Sequence, residues 1–255
     1  MLDLHVHTRH SCDSEASMEE YCKKALELNL SHICFTDHAD FNRTDRGFGY
    51  YDADAFFSEF NKARLKYGDS MEILCGIEFA EPHIYRREFD QAMQHPYDFM
   101  LGSIHYWIDN MNPKQMLEAD IPLDAVFARY WEEVLRAVSY GGFDSMAHID
   151  FPKRYFGRSL WSEDYIRHIF SVMVKKGIAL EINTSSLRAG LNEAMPSRAM
   201  LELYKKAGGI KVTFGADTHR AEDLASGYDF AVDMIMGGEL ENTVFIERVA
   251  RKVPD

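Results

Sequence analysis

Histidines and acids in this chain fall at, or just past, the C-terminal ends of short apolar runs, and that placement constrains the fold more than any other feature. His5, His7, Asp13, His38, Glu78, His105, His148, Asp217 and His219 nearly all follow the rule. Seven β-rich runs carry or precede them, at 2–7, 32–37, 72–78, 98–104, 143–148, 178–182 and 212–216. Several, such as EILCGIEF and GIALEI, are continuously apolar, as strands covered on both faces are. Helical stretches separate them. Ser17 and Glu20 form a capping-box pattern that opens a helix running toward Leu30. Further helices are expected over 54–67, 123–140, 163–176 and 197–207, with a short one including 88–92. Pro122 and the Pro196–Ser197 pair mark two of the starts.

The repeated strand-then-helix order predicts an α/β fold with a mostly parallel sheet. An open doubly wound sheet and a closed barrel share that order, and the ligand-type residues decide between them. In a TIM-like barrel the strand ends around the whole ring face one common site; in an open sheet they would be spread along an edge. Closure is therefore expected, in a single domain spanning 1–255. The stretches 106–122 and 151–161 are expected to be loops near the mouth.

Lys and Arg number 28 against 41 Asp and Glu, a formal charge of −13 that repels a nucleic-acid backbone. Cys12, Cys22, Cys34 and Cys75 show no CxxC spacing and read as free thiols in a reducing compartment. The first strand begins at once, leaving no room for a signal peptide, and no apolar stretch approaches membrane-spanning length. A cytoplasmic location is expected, with no membrane or nucleic-acid partner. Oligomeric state is not legible in the sequence.

His5-x-His7 puts two imidazoles on one face of the first strand. Glu78 sits in an otherwise apolar run, where a lone carboxylate is costly to bury, so it is expected to pair with cations and to be shared between two of them. So many imidazoles and carboxylates in one place suggest more than one divalent metal. The mix, without thiolates, suits zinc, manganese or iron.

The segments DLHVHTRHSCDS, FTDHADF, GIEFA, GSIHY, AHID and GADTHR together resemble the polymerase and histidinol phosphatase family of metal-dependent phosphoesterases. The resemblance runs from His5 to His219. It implies a distorted seven-stranded (β/α) barrel with a trinuclear metal centre. His5, His7, Glu78 and Asp217 would hold one metal, Glu78, His105 and His148 a second, and Asp13, His38 and His219 the third. Some members carry a histidine where Asp13 stands. The implied chemistry is hydrolysis of a small phosphate monoester, with L-histidinol phosphate of histidine biosynthesis as the expected substrate. Its products would be L-histidinol and inorganic phosphate, formed by attack of a metal-bridging hydroxide. Asp217 and His219 are the candidates for relaying a proton, in competition with ligation.

Arginine forks suit phosphate oxygens. Arg158 and Arg188 follow strands five and six, and the resemblance implies phosphate-clamping arginines from these loops; Arg154 and Arg43 are reserves. Asn183, Trp107, Phe156 and Trp161 are candidates for substrate contact. The competing readings are a phosphodiesterase or nucleotidase of the same architecture, a metal-dependent amidohydrolase, and a metal-binding protein without catalysis.

Overall fold

The computed structural model describes residues 1–236 and 239–253. Its elements, in chain order, are β1 (Leu2–Val6), α1 (Met18–Glu27), β2 (His32–Phe35), β3 (His38–Ala39), α2 (Ala53–Tyr67), β4 (Glu72–Ala80), α3 (Arg86–Ala92), β5 (Phe99–Ser103), α4 (Pro113–Glu118), α5 (Leu123–Tyr140), β6 (Ser145–Met146), α6 (Lys153–Phe156), α7 (Glu163–Lys176), β7 (Ala179–Asn183), α8 (Ser185–Arg188), α9 (Arg198–Lys206), β8 (Lys211–Gly215), α10 (Tyr228–Ile235), β9 (Glu241–Ile246) and β10 (Val249–Lys252). All seven expected strands and the expected helices are present. The capping box forms as read: the Ser17 side chain accepts from Glu20 N, and the Glu20 side chain accepts from Ser17 N.

The strands pair in the order β1-β2-β4-β5-β6-β7-β8, every pair parallel. The two ends of this row meet. Val6 bridges Thr218 in parallel, His7 N donates to Thr218 O at 2.9 Å, and Thr218 N donates to His5 O at 3.2 Å. Apolar strand residues are buried on both faces, as the continuous runs require: in β4 every residue after Glu72 is buried.

Besides the short β3 and α8, which the sequence reading did not include, four features depart from it. The 106–122 stretch is not wholly loop but contains α4, opened by Asn112, whose side chain accepts from Gln115 N, with Pro113 at the first turn. Within 151–161, α6 forms a single turn that ends at Gly157, φ 72°. The expected strand over 143–148 is only Ser145–Met146; it is bounded by Gly142 at φ 89° and by His148, which itself takes φ 27°. Finally, an antiparallel β9–β10 hairpin extends the row beyond β8.

That hairpin packs against the N-terminal ends of the strands. Glu247 N donates to Asp98 Oδ1 at 3.0 Å, Arg248 pairs with Asp144, and Phe245 stacks on Phe99 at 5.3 Å. The opposite, C-terminal ends are left to build a site. Among the described residues, no helix is long and apolar enough to cross a membrane.

Candidate metal centre

Glu78 stands at the centre of the strand-end cluster, fully buried within β4. Five imidazoles approach it. His38 Nδ1 is 2.9 Å, His5 Nε2 3.3 Å and His7 Nε2 3.6 Å from Oε2, while His148 Nε2 is 2.9 Å and His105 Nε2 3.3 Å from Oε1. Beside them, Asp217 Oδ1 lies 3.5 Å from His7 Nε2 and 4.0 Å from His5 Nε2. Asp13 Oδ2 lies 3.3 Å from His219 Nε2 and 3.7 Å from His38 Nε2. All nine candidate ligands thus fall in one cluster, contributed by the ends of β1, β3, β4, β5, β6 and β8.

Four overlapping triads have ligand atoms within 4.8 Å of one another: His5–His7–Asp217, His5–Glu78–His148, His38–Glu78–His105 and His7–His38–His219. The first lies within one of the three ligand sets implied by the resemblance. The others cut across those sets, because Glu78, His5, His7 and His38 are packed tightly enough to belong to two groups each. Asp13, nearer the mouth, joins none of the triads.

Without cations this cluster is costly. His5 Nε2, His7 Nε2, His38 Nδ1 and Glu78 Oε2 are buried and have no hydrogen-bond partner, and such atoms rarely go unsatisfied in a folded interior. The cluster sets its own charges: against the lowering effect of burial, the surrounding carboxylates raise His5, His105 and, to about 9, His38, so a cation binding there would displace protons from these three. Burial, reinforced by His38 and His219, holds the His7 imidazole well below its ordinary pKa, so its lone pair is free. Burial alone would raise the Glu78 and Asp217 carboxyls, but the surrounding imidazoles, joined at Asp217 by Arg154, hold both well below the ordinary carboxylate range. The donor set fits divalent metal ions.

Outside the cluster a second layer holds the imidazoles by their other nitrogen or by their backbone. His5 Nδ1 donates to Glu181 Oε1 at 2.6 Å. His7 Nδ1 lies 3.2 Å from Ser11 Oγ, which donates to Asp37 Oδ1 at 2.7 Å. His105 Nδ1 faces Asp40 Oδ1 at 3.6 Å. Glu81, at φ 48°, accepts from His105 N at 2.6 Å and Tyr106 N at 3.0 Å. Such partners orient metal-binding histidines and raise their basicity. The sequence reading missed Asp40 and Glu81. The available signal was an acid two or three residues beyond a ligand at a strand end.

A cavity of about 340 Å³ opens over the cluster, walled by Asp40, Asp45, Tyr106, Phe151, Arg154 and Tyr155 among others. Arg154, held in reserve by the sequence reading, is the arginine that enters it from the 151–161 segment. Its guanidinium lies over the Phe151 and Tyr155 rings, 4.8 and 5.4 Å from their centroids, and donates to Ser185 Oγ and Asp217 Oδ2. Arg46, on the 41–52 loop, also reaches the mouth, with Nη2 3.4 Å from Asp13 Oδ2.

Several expected contacts lie elsewhere. Arg158, beyond the left-handed Gly157, is turned into a separate hollow that it shares with Trp161. Arg188 Nη2 donates to the carbonyls of Ala216 and Asp217 at 2.7 and 2.8 Å, bracing the strained Asp217 backbone (φ 53°). Arg43 lies over the Phe48 ring. Asn183 is spent on Glu181 and Ser185. Trp107 donates to Val126 O, and Phe156 packs on Phe127, both against α5. None of these residues lines the cavity over the cluster; its aromatic wall is Tyr106, Phe151 and Tyr155.

The PHP domain model matches residues 3–185, close to three quarters of the chain. This chain belongs to the PHP domain family. The matched stretch of this PHP protein carries seven of the nine candidate ligands; Asp217 and His219 lie beyond it. A relative from Clostridium acetobutylicum named "Probable histidinol-phosphatase" is 29% identical over 266 residues, covering 98% of this chain and 99% of the relative. The histidinol-phosphatase of Lactococcus lactis is 26% identical over 234 residues, covering 87% and 85%. The crystal structure of histidinol phosphate phosphatase from the same organism, in complex with zinc, L-histidinol and phosphate, superposes with a TM-score of 0.84 at 23% identity, covering 98% of each chain. The fold of this PHP protein is therefore that of the Lactococcus enzyme.

Proposed function

We propose that this chain is a metal-dependent phosphomonoesterase that hydrolyses L-histidinol phosphate to L-histidinol and inorganic phosphate. The observation that carries the reading is Glu78, buried among five imidazoles, three of which (His5, His7 and His38) turn a nitrogen without a hydrogen-bond partner toward it, beneath a small cavity that Arg154 enters. The names of the full-length relatives support the substrate.

We assign the nine clustered residues to three divalent ions, of zinc, manganese or iron. When bound, such ions supply positive charge for the phosphate oxygens and lower the pKa of a coordinated water. The protein's own groups do the rest. Arg154 presents a planar fork toward the phosphate from a position fixed by Ser185 and Asp217. The Phe151 and Tyr155 rings hold the guanidinium from swinging out. Asp40 and Asp45 place negative charge on the same cavity wall, suited to the ammonium group of histidinol. Tyr106 and Tyr155 give that wall aromatic surface for an imidazole. A cavity of about 340 Å³ in a chain of charge −13 suits a small monoester better than a polymeric polyanion.

The test is a comparison of kcat/KM for L-histidinol phosphate, a nucleoside monophosphate and bis(p-nitrophenyl) phosphate by the metal-replete protein. A preference of at least a hundredfold for histidinol phosphate is expected. Equal or faster turnover of the diester would overturn the substrate while leaving the metal centre intact.

A further inference from the structure

Glu181 lies in the middle of β7 within an apolar run, and it is 1% exposed. Both carboxylate oxygens are occupied. Oε1 accepts from His5 Nδ1 at 2.6 Å; Oε2 accepts from the backbone N of His148 at 2.6 Å and from Asn183 Nδ2 at 3.0 Å. Donation from Nδ1 keeps a proton on the outer nitrogen of His5, so Nε2, 3.3 Å from Glu78 Oε2, is the atom a cation would take. At His148 the same carboxylate grips the backbone of a residue held at φ 27°, whose Nε2 reaches Glu78 Oε1 at 2.9 Å. The neighbouring strand makes room for this group. A Cβ on Gly215 would lie 2.2 Å from Glu181 Oε1 and 2.5 Å from His5 Cβ. A residue that only filled the interior would not need a charge in so dry a place.

We infer that Glu181 is a positioning residue that couples two parts of the metal centre. It sets the tautomer of His5 through the side chain and the aim of His148 through the backbone, so cation sites built on either histidine depend on this one carboxylate. The inference rests on the metal-centre reading above.

The discriminating variant is Glu181→Gln, which keeps size and hydrogen-bonding capacity. Two donors, His148 N and Asn183 Nδ2, meet at the Oε2 position, so the amide oxygen stays there. The amide NH2 then faces His5 Nδ1 and drives the proton to Nε2, where it blocks the lone pair that a metal needs. Chelator-stripped wild type and E181Q are titrated with Zn²⁺ against a competing indicator, and the melting temperature of each metal-free protein is measured alongside. The expected result is metal-free melting within a few degrees of wild type, with at least one ion bound about 10- to 100-fold more weakly. Equal affinity in the two proteins overturns the inference, as does a loss of affinity fully explained by lowered metal-free stability. A wild type that binds no ion sinks the metal-centre reading itself, a separate failure. If metal-free E181Q does not fold, the long-range ¹H–¹⁵N spectrum of zinc-loaded wild type decides. A His5 proton on Nδ1 with Nε2 ligated supports the inference, and ligation through Nδ1 overturns it.

Discussion

Arg154 donates from Nη1 to Asp217 Oδ2 across 2.9 Å, so the arginine that enters the cavity from the 151–161 segment is tied to a carboxylate of the metal cluster. The guanidinium is half of an ion pair that is nearly buried, with Asp217 5% and Arg154 24% exposed. The aim of the arginine is therefore fixed by a carboxylate of the metal cluster.

Replacing Arg154 should damage catalysis without emptying the centre. Arg154→Ala is expected to lower kcat/KM for histidinol phosphate by about 10²- to 10³-fold, the scale of one lost charge-stabilising donor. Metal content, read by atomic emission, should stay at the wild-type level. Arg154→Lys should recover only part of the loss, because the ammonium lacks the planar fork. An unchanged kcat/KM in Arg154→Ala would exclude the phosphate role.

Metal removal should cost stability as well as activity, because His5 Nε2, His7 Nε2, His38 Nδ1 and Glu78 Oε2 are left buried and unpartnered. Ions that bind the folded chain and not the unfolded one stabilise it by about 2.7 kcal/mol at a free concentration a hundredfold above Kd. Thermal unfolding of chelator-treated protein, repeated after adding Zn²⁺ or Mn²⁺, should show a melting temperature several degrees higher with metal. No shift would argue that the cluster binds none.

Asp40 lines the cavity and is nearly buried. Asp40→Asn is expected to raise KM for histidinol phosphate roughly tenfold, the scale of one lost charge-assisted contact. KM for p-nitrophenyl phosphate, which has no amine, should change little. An equal rise for both substrates would assign Asp40 to His105 alone, whose Nδ1 lies 3.6 Å away.

The site was legible because the geometry of a parallel barrel is legible: residues at the ends of β1, β4, β5, β6 and β8 converge whatever the intervening helices do. The direction of loop side chains was not. Lys153, 1% exposed, turns inward to Asp150 Oδ2 at 2.9 Å and Ala194 O at 2.6 Å. That anchor turns the next residue, Arg154, into the cavity. Gly157 then reverses the chain and sends Arg158 to the other side. The Lys153–Ala194 anchor joins residues 41 positions apart, and no local pattern reports it. Asn183 looked available at a strand end, but its amide is consumed by its own near neighbours Glu181 and Ser185.

A pH-dependent contribution to stability is expected from Glu59, which ties α2 to the loop after β1. Burial alone would raise its carboxyl, but hydrogen bonds from His10, Arg9 and Met18 N bring it down to about 2 from 4.5. A depressed carboxyl stabilises the fold above its unfolded pKa and loses that contribution as pH falls through the folded one. Glu59→Gln should thus cost about 1 kcal/mol at pH 7, allowing for solvent screening. The gap between variant and wild type in urea unfolding should shrink as pH falls from 5 toward 2. A gap independent of pH would show that the contact acts by packing alone.

The most direct test of the whole account is release of inorganic phosphate from L-histidinol phosphate by one preparation carried through three states: as purified, stripped by chelator, and resupplied in turn with zinc, manganese and iron. The account predicts turnover that vanishes on stripping and returns with at least one of these metals. Turnover that survives complete removal of metal, or none in any metal-loaded state, would contradict it.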